Sequence, residues 1–185
     1  LMTSATITDR LVALSRALIG RIRGGLAQVN VLVSMFFAGM NGSVVADTAT
    51  VGALVLPAMK KAGYPAAFSA AVTGVSSTIG GIIPPSIMMI VLANATEISI
   101  AALFAAGIIP GILIGVVIMV INHYFAVKYN FERSDEPFSV RRAGKELYRS
   151  SFALLIPLVL VGSVMGGVAS VVEAGAITAL VALFT

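Results

Sequence analysis

The sequence predicts an all-α polytopic membrane protein built around a re-entrant helical hairpin and a broken transmembrane helix. Three observations predict it: an extreme apolar composition, charges gathered into clumps, and two polar interruptions inside apolar runs. Of the 185 residues, 58% are hydrophobic and 11% charged, whereas soluble domains run near 45–50% and about 25%. Mean hydropathy is +1.03. These values exclude a soluble enzyme domain, a disordered segment and a coiled coil. The absence of cysteine excludes disulfides, Cys-ligated zinc, iron–sulfur clusters and thiol catalysis. A single histidine, His123, excludes a multi-His metal site. The net charge of +4 is no signal for nucleic acid, because its positions follow a membrane topology.

Arg10, Arg16, Arg21 and Arg23 open the chain as a cytoplasmic-side helix or interface segment, residues 1–23. Residues 24–46 carry no charge, Asp47 stands alone, and residues 48–59 are again uncharged before Lys60-Lys61. A bilayer span needs about 20 apolar residues, so the piece before the lysine pair is too short to cross. A re-entrant hairpin over 24–61, entering from the cytoplasm and turning at Asn41-Gly42-Ser43, resolves the difficulty. A discontinuous transmembrane helix then runs outward over 62–97, and a second span returns over 98–128. A cytoplasmic amphipathic segment over 129–150 includes Arg141, Arg142, Lys145, Arg149 and Glu146. A further span, with the truncated start of a second half, occupies 151–185. With this path all twelve Lys and Arg fall on one side, as the positive-inside rule requires. The chain begins at Leu1-Met2 without a signal peptide and stops after a short apolar run, so the expectation is a piece from within a larger protein.

The first interruption is Met40-Asn41-Gly42-Ser43-Val44-Val45-Ala46-Asp47-Thr48. Asn-Gly is a turn dipeptide. Irregular backbone at membrane depth survives only where protein or a water-filled cavity satisfies it. Asn41, Gly42 through its carbonyl, Ser43, Asp47 and Thr48 offer the hard oxygens that an alkali cation prefers. Two plainer readings stand beside this one. The segment is a tight external loop, which strands Lys60-Lys61 outside; or Asp47 caps the returning helix, which is compatible with ion binding.

The second interruption is Ser76-Ser77-Thr78-Ile79-Gly80-Gly81-Ile82-Ile83-Pro84-Pro85-Ser86. Gly80-Gly81 loosens a helix, and Pro84 and Pro85 remove amide donors and clash with the preceding turn. One half-helix is expected to end near Gly80 and another to start near Pro85. The new N-terminus presents partial positive charge at the membrane centre, a site for a carboxylate or phosphate. Ser76, Ser77 and Thr78 sit at the carbonyl end of the first half-helix, which suits a cation. Broken helices of this kind mark transporter binding sites. The plain alternative is a proline kink relieved by Ser and Thr.

Other features read as structural. Gly107, Gly111 and Gly115 recur every fourth residue as a close-packing helix face. His123 and Glu173 suit opposite interfaces, with Glu173 alternatively lining a helix contact. The 129–150 segment reads as a solvated, topology-setting loop, with anionic lipid as the alternative contact.

Several stretches resemble the large membrane subunit of tripartite ATP-independent periplasmic (TRAP) transporters, the DctM-like family. They are "LMTSATITDRLV", "RIRGGLAQVNVLVSMFFAGMNGSVVADTATVGALVLPAMKKAGY", "SSTIGGIIPPSIMMIV", "ALFAAGIIPGILIGV" and, more loosely, "GVASVVEAGAITAL". The last departs from the commoner Thr-Pro-Thr-Glu form. The resemblance implies one half of an inverted-repeat, elevator-type transporter in the bacterial inner membrane. It implies Na⁺ as the coupling ion with no other cofactor, and import of a carboxylate such as a C4-dicarboxylate or sialic acid. It also implies two protein partners, a periplasmic solute-binding protein and a small membrane subunit, beside the lipid bilayer. Residue by residue it places Asn41, Gly42, Ser43, Asp47 and Thr48 at the hairpin tip. Ser76, Ser77, Thr78, Gly80, Gly81, Pro84, Pro85 and Ser86 fall at the broken helix. Na⁺ at the tip and solute at the break is the assignment adopted. A binding-protein-independent Na⁺/dicarboxylate symporter is the alternative, although its Ser-Asn-Thr hairpin signature is not matched by Asn41-Gly42-Ser43. An intramembrane hydrolase lacks a base: His123 lies far from Ser43 and Asp47 along the chain, and the mid-membrane carboxylate is single.

Overall fold

A computed structural model describes residues 4–19, 22–131 and 139–183. Residues 1–3, Arg21 and the 132–138 part of the polar stretch lie outside the described residues, as does the final 184–185 pair. All regular structure among the described residues is helical: α1 (Ser4–Ile19), α2 (Gly25–Asn41), α3 (Val44–Lys61), α4 (Ala66–Ser77), a 3-10 turn (Thr78–Gly81), α5 (Ile87–Thr96), α6 (Ile100–Lys128), α7 (Val140–Met165) and α8 (Val171–Leu183).

Local chemistry sets most of the boundaries. Gly42, left-handed at φ 57, ends α2, and its amide donates to the Ala38 carbonyl. Ser43 caps α3, accepting from the Ala46 amide at 3.4 Å. Ser86 caps α5 and Ser99 caps α6 in the same way. Such caps satisfy amides that the first helical turn leaves without partners. Glu97, at φ 56, closes α5.

Helix α2 is the centre of the molecule. It packs on α1, α3, α4, α6 and α7, and Ala27, Val29, Val31, Val33, Phe37 and Ala38 along it are buried. A helix apolar nearly all round belongs in an interior, which is where the uncharged run after Arg23 lies.

The two ends of the assembly differ in charge. Arg23 Nη1 donates to Asn130 Oδ1 at 3.2 Å. The Tyr64 and Phe131 rings lie 4.6 Å apart, and those of Phe68 and Phe131 lie 5.1 Å apart. The start of α2, the α3–α4 link and the end of α6 therefore share one end, together with Lys60, Lys61 and Lys128. Glu97 lies between α5 and α6, at their far end. Residues 24–61 hold α2 and α3, and the chain turns between them at Gly42-Ser43, where the Asn-Gly signal placed a turn.

Helix α6, with 29 residues, is the one described helix long and apolar enough to cross a bilayer by itself. Its outward side exposes Ile109, Leu113, Val116 and Val120, an apolar face suited to hydrocarbon. Its inward side carries Gly107, Gly111 and Gly115, all buried. A Cβ at Gly107 would overlap the Ile82 carbonyl oxygen, one at Gly111 would meet Ile83, and one at Gly115 would meet Met35. The close-packing face read from the four-residue spacing is thus the surface that α6 presses on α2 and on the segment after the 3-10 turn.

Two expected boundaries fall elsewhere. The stretch expected as a separate amphipathic segment ending at residue 150 runs without interruption into the apolar part of α7, because helix-forming residues bridge the two. The span expected at the start of 151–185 ends at Met165. Gly166 and Gly167 turn the chain, Gly167 at φ 66, before α8 begins.

Candidate functional site

The hairpin tip and the break between α4 and α5 meet. The Ile87 amide, first in α5, donates to the Gly42 carbonyl at 3.1 Å. A Cβ on Gly42 would overlap the Pro85 carbonyl oxygen, and one on Gly80 would lie 3.8 Å from the Ser43 backbone. Gly81 faces Val44 Cγ2, with 3.3 Å to an added Cβ. At Gly42 the two backbones approach with no room for a side chain.

The break itself is orderly. Helix α4 tightens into the 3-10 turn, whose carbonyl at Ile79 accepts from the amides of Ile82 and Ile83, both at 2.9 Å. Pro84 and Pro85 follow, joined by a cis peptide, and α5 begins at Ile87, two residues later than the sequence suggested. Ser86, fully buried, donates to the Gly81 carbonyl at 2.8 Å and accepts from the Met89 amide at 3.4 Å. One hydroxyl thereby ties the 3-10 turn to the first turn of α5. Of the amides expected to await a ligand, that of Ile87 is engaged by the tip.

The hydroxyls before the break bond inward on their own helix. Ser76 donates to the Val72 carbonyl, Ser77 to Thr73 at 2.8 Å and Thr78 to Val75 at 2.6 Å. Such back-bonding satisfies hydroxyls in apolar surroundings and leaves their lone pairs directed outward.

The expected tip residues do not form one group. Asn41, Gly42 and Ser43 lie at the junction. Thr48 is exposed and donates to the Val44 carbonyl at 2.8 Å. Asp47, one residue earlier, points the other way and is completely buried. Ser43 occupies the cap of α3, and neither Asp47 carboxylate oxygen accepts a hydrogen bond. Asp47 therefore does not cap the helix.

Asp47 instead faces the hydroxyls of Ser34 on α2 and Ser77 on α4, both fully buried. One turn along the same pair of helices, Asn30 Nδ2 donates to Thr73 Oγ1 at 2.7 Å and lies 3.7 Å from Met59 Sδ. Thr73 Oγ1 in turn donates to the Ser69 carbonyl at 2.9 Å. The interior between α2, α3 and α4 thus holds two polar rungs, Asn30–Thr73 and Ser34–Asp47–Ser77. Asn30, Ser34 and Thr73 did not stand out in the sequence. Their signal was a pair of polar residues four apart in each of two apolar helices, Asn30/Ser34 and Thr73/Ser77.

A separate polar tie joins α2 to α6, with Gln28 Nε2 donating to the Met119 carbonyl at 2.8 Å.

Comparison with known proteins gives the family. The profile of the family described as "Tripartite ATP-independent periplasmic transporter, DctM component" matches residues 1–185. The chain is 35% identical over 184 residues to the sialic acid TRAP transporter large permease protein SiaM of Vibrio cholerae, covering all of this chain and 43% of that protein. It is 36% identical over 183 residues to the C4-dicarboxylate TRAP transporter large permease protein DctM of Pseudomonas aeruginosa, covering 99% of this chain and 43% of that protein. A sialic acid TRAP transporter permease protein, SiaT, of Haemophilus influenzae is 37% identical over 180 residues, 97% of this chain and 29% of that protein. The chain thus spans less than half the length of these relatives. A match along its whole length makes the chain a member of the DctM family of TRAP transporter permeases.

Proposed function

We propose that this chain forms one half of the large permease subunit of a Na⁺-driven secondary transporter in the bacterial inner membrane. The subunit imports an organic acid handed over by a periplasmic binding protein and works beside a small membrane subunit. It is a transport protein and performs no covalent chemistry on its solute.

One observation carries the reading: the hairpin tip docks on the helix break, Gly42 carbonyl to Ile87 amide. Depth follows from helix rise. The 17 residues of α2 reach about 25 Å from the basic end, whereas the 29 residues of α6 reach about 43 Å. The tip therefore ends beside Gly111 of α6 rather than near Glu97. That reach, with Lys60-Lys61 back at the starting end, supports a re-entrant hairpin whose tip and the break share a level inside the membrane. The positive end of the α5 dipole favours an anionic solute there. Carboxylates fit that charge, and sialic acid and C4-dicarboxylates are the solutes that the relatives' names carry.

The test is uptake into proteoliposomes by the complete permease with its small subunit. Labelled sialic acid and a labelled C4-dicarboxylate are each supplied with and without a Na⁺ gradient and binding protein. Uptake of one of them that needs both supports the proposal. Uptake without binding protein would point to a symporter acting alone, and no uptake of either acid would overturn the carboxylate assignment. Re-entrance has its own test: Lys60→Cys should label only from the cytoplasm and Glu97→Cys only from the periplasm. Periplasmic labelling at position 60 would make α2 a full span.

A further inference from the structure

Helix α7 has two dissimilar sides. Counted at about 100° per residue, Arg141, Lys145, Tyr148 and Leu155 fall within about 80° of one another around it, and Ser150 falls about 180° from Arg141. Ser150 marks the packed side: it is buried, and its hydroxyl donates to the Arg10 carbonyl of α1 at 3.3 Å. Arg141, Lys145, Tyr148 and Leu155 are all exposed, Tyr148 by 81%. Gly144, among them, is exposed as well, and a Cβ there would meet nothing within 4 Å. The chemistry changes along this open side. Two cations come first, then a phenol, then Leu155 and the exposed Leu158.

That order matches a depth. A Cβ at Gly39, near the hairpin tip, would lie 3.1 Å from Pro157. Back from this contact, Arg141 lies about 24 Å along α7 and Gly25 about 21 Å along α2 by helix rise. Both helices therefore start at the basic end, where Arg23 meets Asn130. Ser139 makes no side-chain cap bond to α7, so the positive end of the α7 dipole opens at that level too. A solvated, topology-setting loop has no use for a ring and leucines below its cations on one open side.

We propose that this side of α7 binds a phospholipid with an anionic headgroup. Arg141 and Lys145 hold the phosphate, Tyr148 lies at the ester level, and an acyl chain runs past Leu155 and Leu158. Guanidinium and ammonium groups bind phosphate, and an amphipathic ring belongs at the headgroup boundary. Leu155 lies about 21 Å from Arg141 by helix rise, which suits a headgroup plus one leaflet of a ~30 Å hydrocarbon core. The lipid is anionic because the ammonium of a zwitterionic headgroup offsets its own phosphate and leaves the two cations in surplus. An acidic protein segment would match the cations but not the apolar continuation below them. The inference rests on the membrane placement of the chain and on neither the solute nor the coupling ion.

The test is thermal unfolding of the complete permease with its small subunit, in neutral detergent at constant ionic strength. The protein is titrated with dioleoylphosphatidylglycerol or with dioleoylphosphatidylcholine. Wild type should be stabilised saturably by the first lipid and much less by the second. Arg141→Gln and Lys145→Gln should each raise the half-saturating phosphatidylglycerol concentration about fivefold, and the double variant about twenty-fivefold, as expected for one and for two basic residues at an anionic lipid. Arg141→Lys should keep most of the response. Lys60→Gln combined with Lys61→Gln removes exposed cations at the same end but on α3, and should leave the curve in place. All these side chains are exposed, so the substitutions leave the fold intact. An unmoved curve in the Arg141/Lys145 double variant would overturn the site. So would an equal shift in the Lys60/Lys61 variant, by making the response general to the basic end, and so would equal stabilisation of wild type by the two lipids. Loss of the small subunit on elution of the Arg141/Lys145 variant, with its lipid curve unchanged, would give the stripe to a protein partner instead.

Discussion

The helix break and the hairpin interior both put polar residues inside apolar surroundings, but they dispose of them differently. At the break every hydroxyl has a use. Ser76, Ser77 and Thr78 donate to carbonyls one turn back, and Ser86 links the 3-10 turn to α5. In the hairpin interior, Asn30 Oδ1, Ser34 Oγ and both Asp47 oxygens are left over. The break is a backbone device whose side chains hold its shape. The interior instead sets polar side chains of three helices against one another.

The largest effect should come from crowding the point where the two regions meet. Gly42 is left-handed at φ 57, and a side chain there would overlap the Pro85 carbonyl. The conformation alone costs a non-glycine residue roughly 1–2 kcal/mol, and a backbone carbonyl does not move aside cheaply. Gly42→Val should part the tip from the break and abolish uptake while the protein still inserts. Replacing Pro84-Pro85 by Ala-Ala attacks the same contact from the other side, by letting α4 continue toward α5 and hiding the Ile87 amide in a helical bond. Both variants are checked by uptake beside monodisperse elution. Near-normal uptake in either would reduce the junction to a packing detail.

A second pair of substitutions separates rigid from yielding contacts on the α6 face. At Gly107 an added Cβ meets the Ile82 carbonyl, which is backbone, as well as Met89. At Gly115 it meets only the thioether of Met35. Methionine ends adapt and carbonyls do not. Gly107→Ala should therefore destabilise by about 1–3 kcal/mol, as overpacking does, and Gly115→Ala by clearly less. Unfolding midpoints decide it; equal losses would mean that the segment after the 3-10 turn yields as easily as a side chain.

The parts of the fold legible in sequence were those written in glycine, proline and charge. Asn41-Gly42 located the hairpin turn, and Gly80-Gly81 with Pro84-Pro85 located the break. Lys60-Lys61 brought the chain back to its starting end, and the glycines at 107, 111 and 115 named a packing face. These residues act through backbone torsion or solvation, which local sequence states directly. The inner rungs were not legible. Asn30, Ser34 and Thr73 gain their meaning from the helix opposite, and nothing in one helix says which of its polar residues will face another. Thr48 was grouped with Asp47 by adjacency, although neighbours on a helix point about 100° apart. The end of α7 was misplaced because the apolar run continues through Gly166-Gly167, where the backbone turns.

Within the interior, the Asn30–Thr73 rung should be worth less than the junction. Thr73→Val keeps the shape but removes the acceptor for Asn30 Nδ2 and the hydroxyl that back-bonds to Ser69. Polar pairs between membrane helices average about 0.6 kcal/mol and reach about 1.7, so a loss within that range is expected, read as a shift in unfolding midpoint. An unchanged midpoint would show that the rung adds nothing to stability.

The smallest effect is expected at Ser86, and it tests whether the break depends on side chains at all. The hydroxyl makes two contacts, a donation to Gly81 at 2.8 Å and a long acceptance from Met89 at 3.4 Å. Losing a helix cap typically costs about 1 kcal/mol, and the longer bond suggests that the cap contributes little of it. The α5 dipole, the Gly42–Ile87 bond and both prolines survive in Ser86→Ala. Uptake should fall by no more than a few-fold, and the unfolding midpoint should drop slightly. Restoring the hydroxyl with Ser86→Thr should recover uptake if capping is its role. A collapse of uptake in Ser86→Ala with an unchanged unfolding midpoint would instead put the hydroxyl on the solute, and would make the break a side-chain site rather than a backbone one.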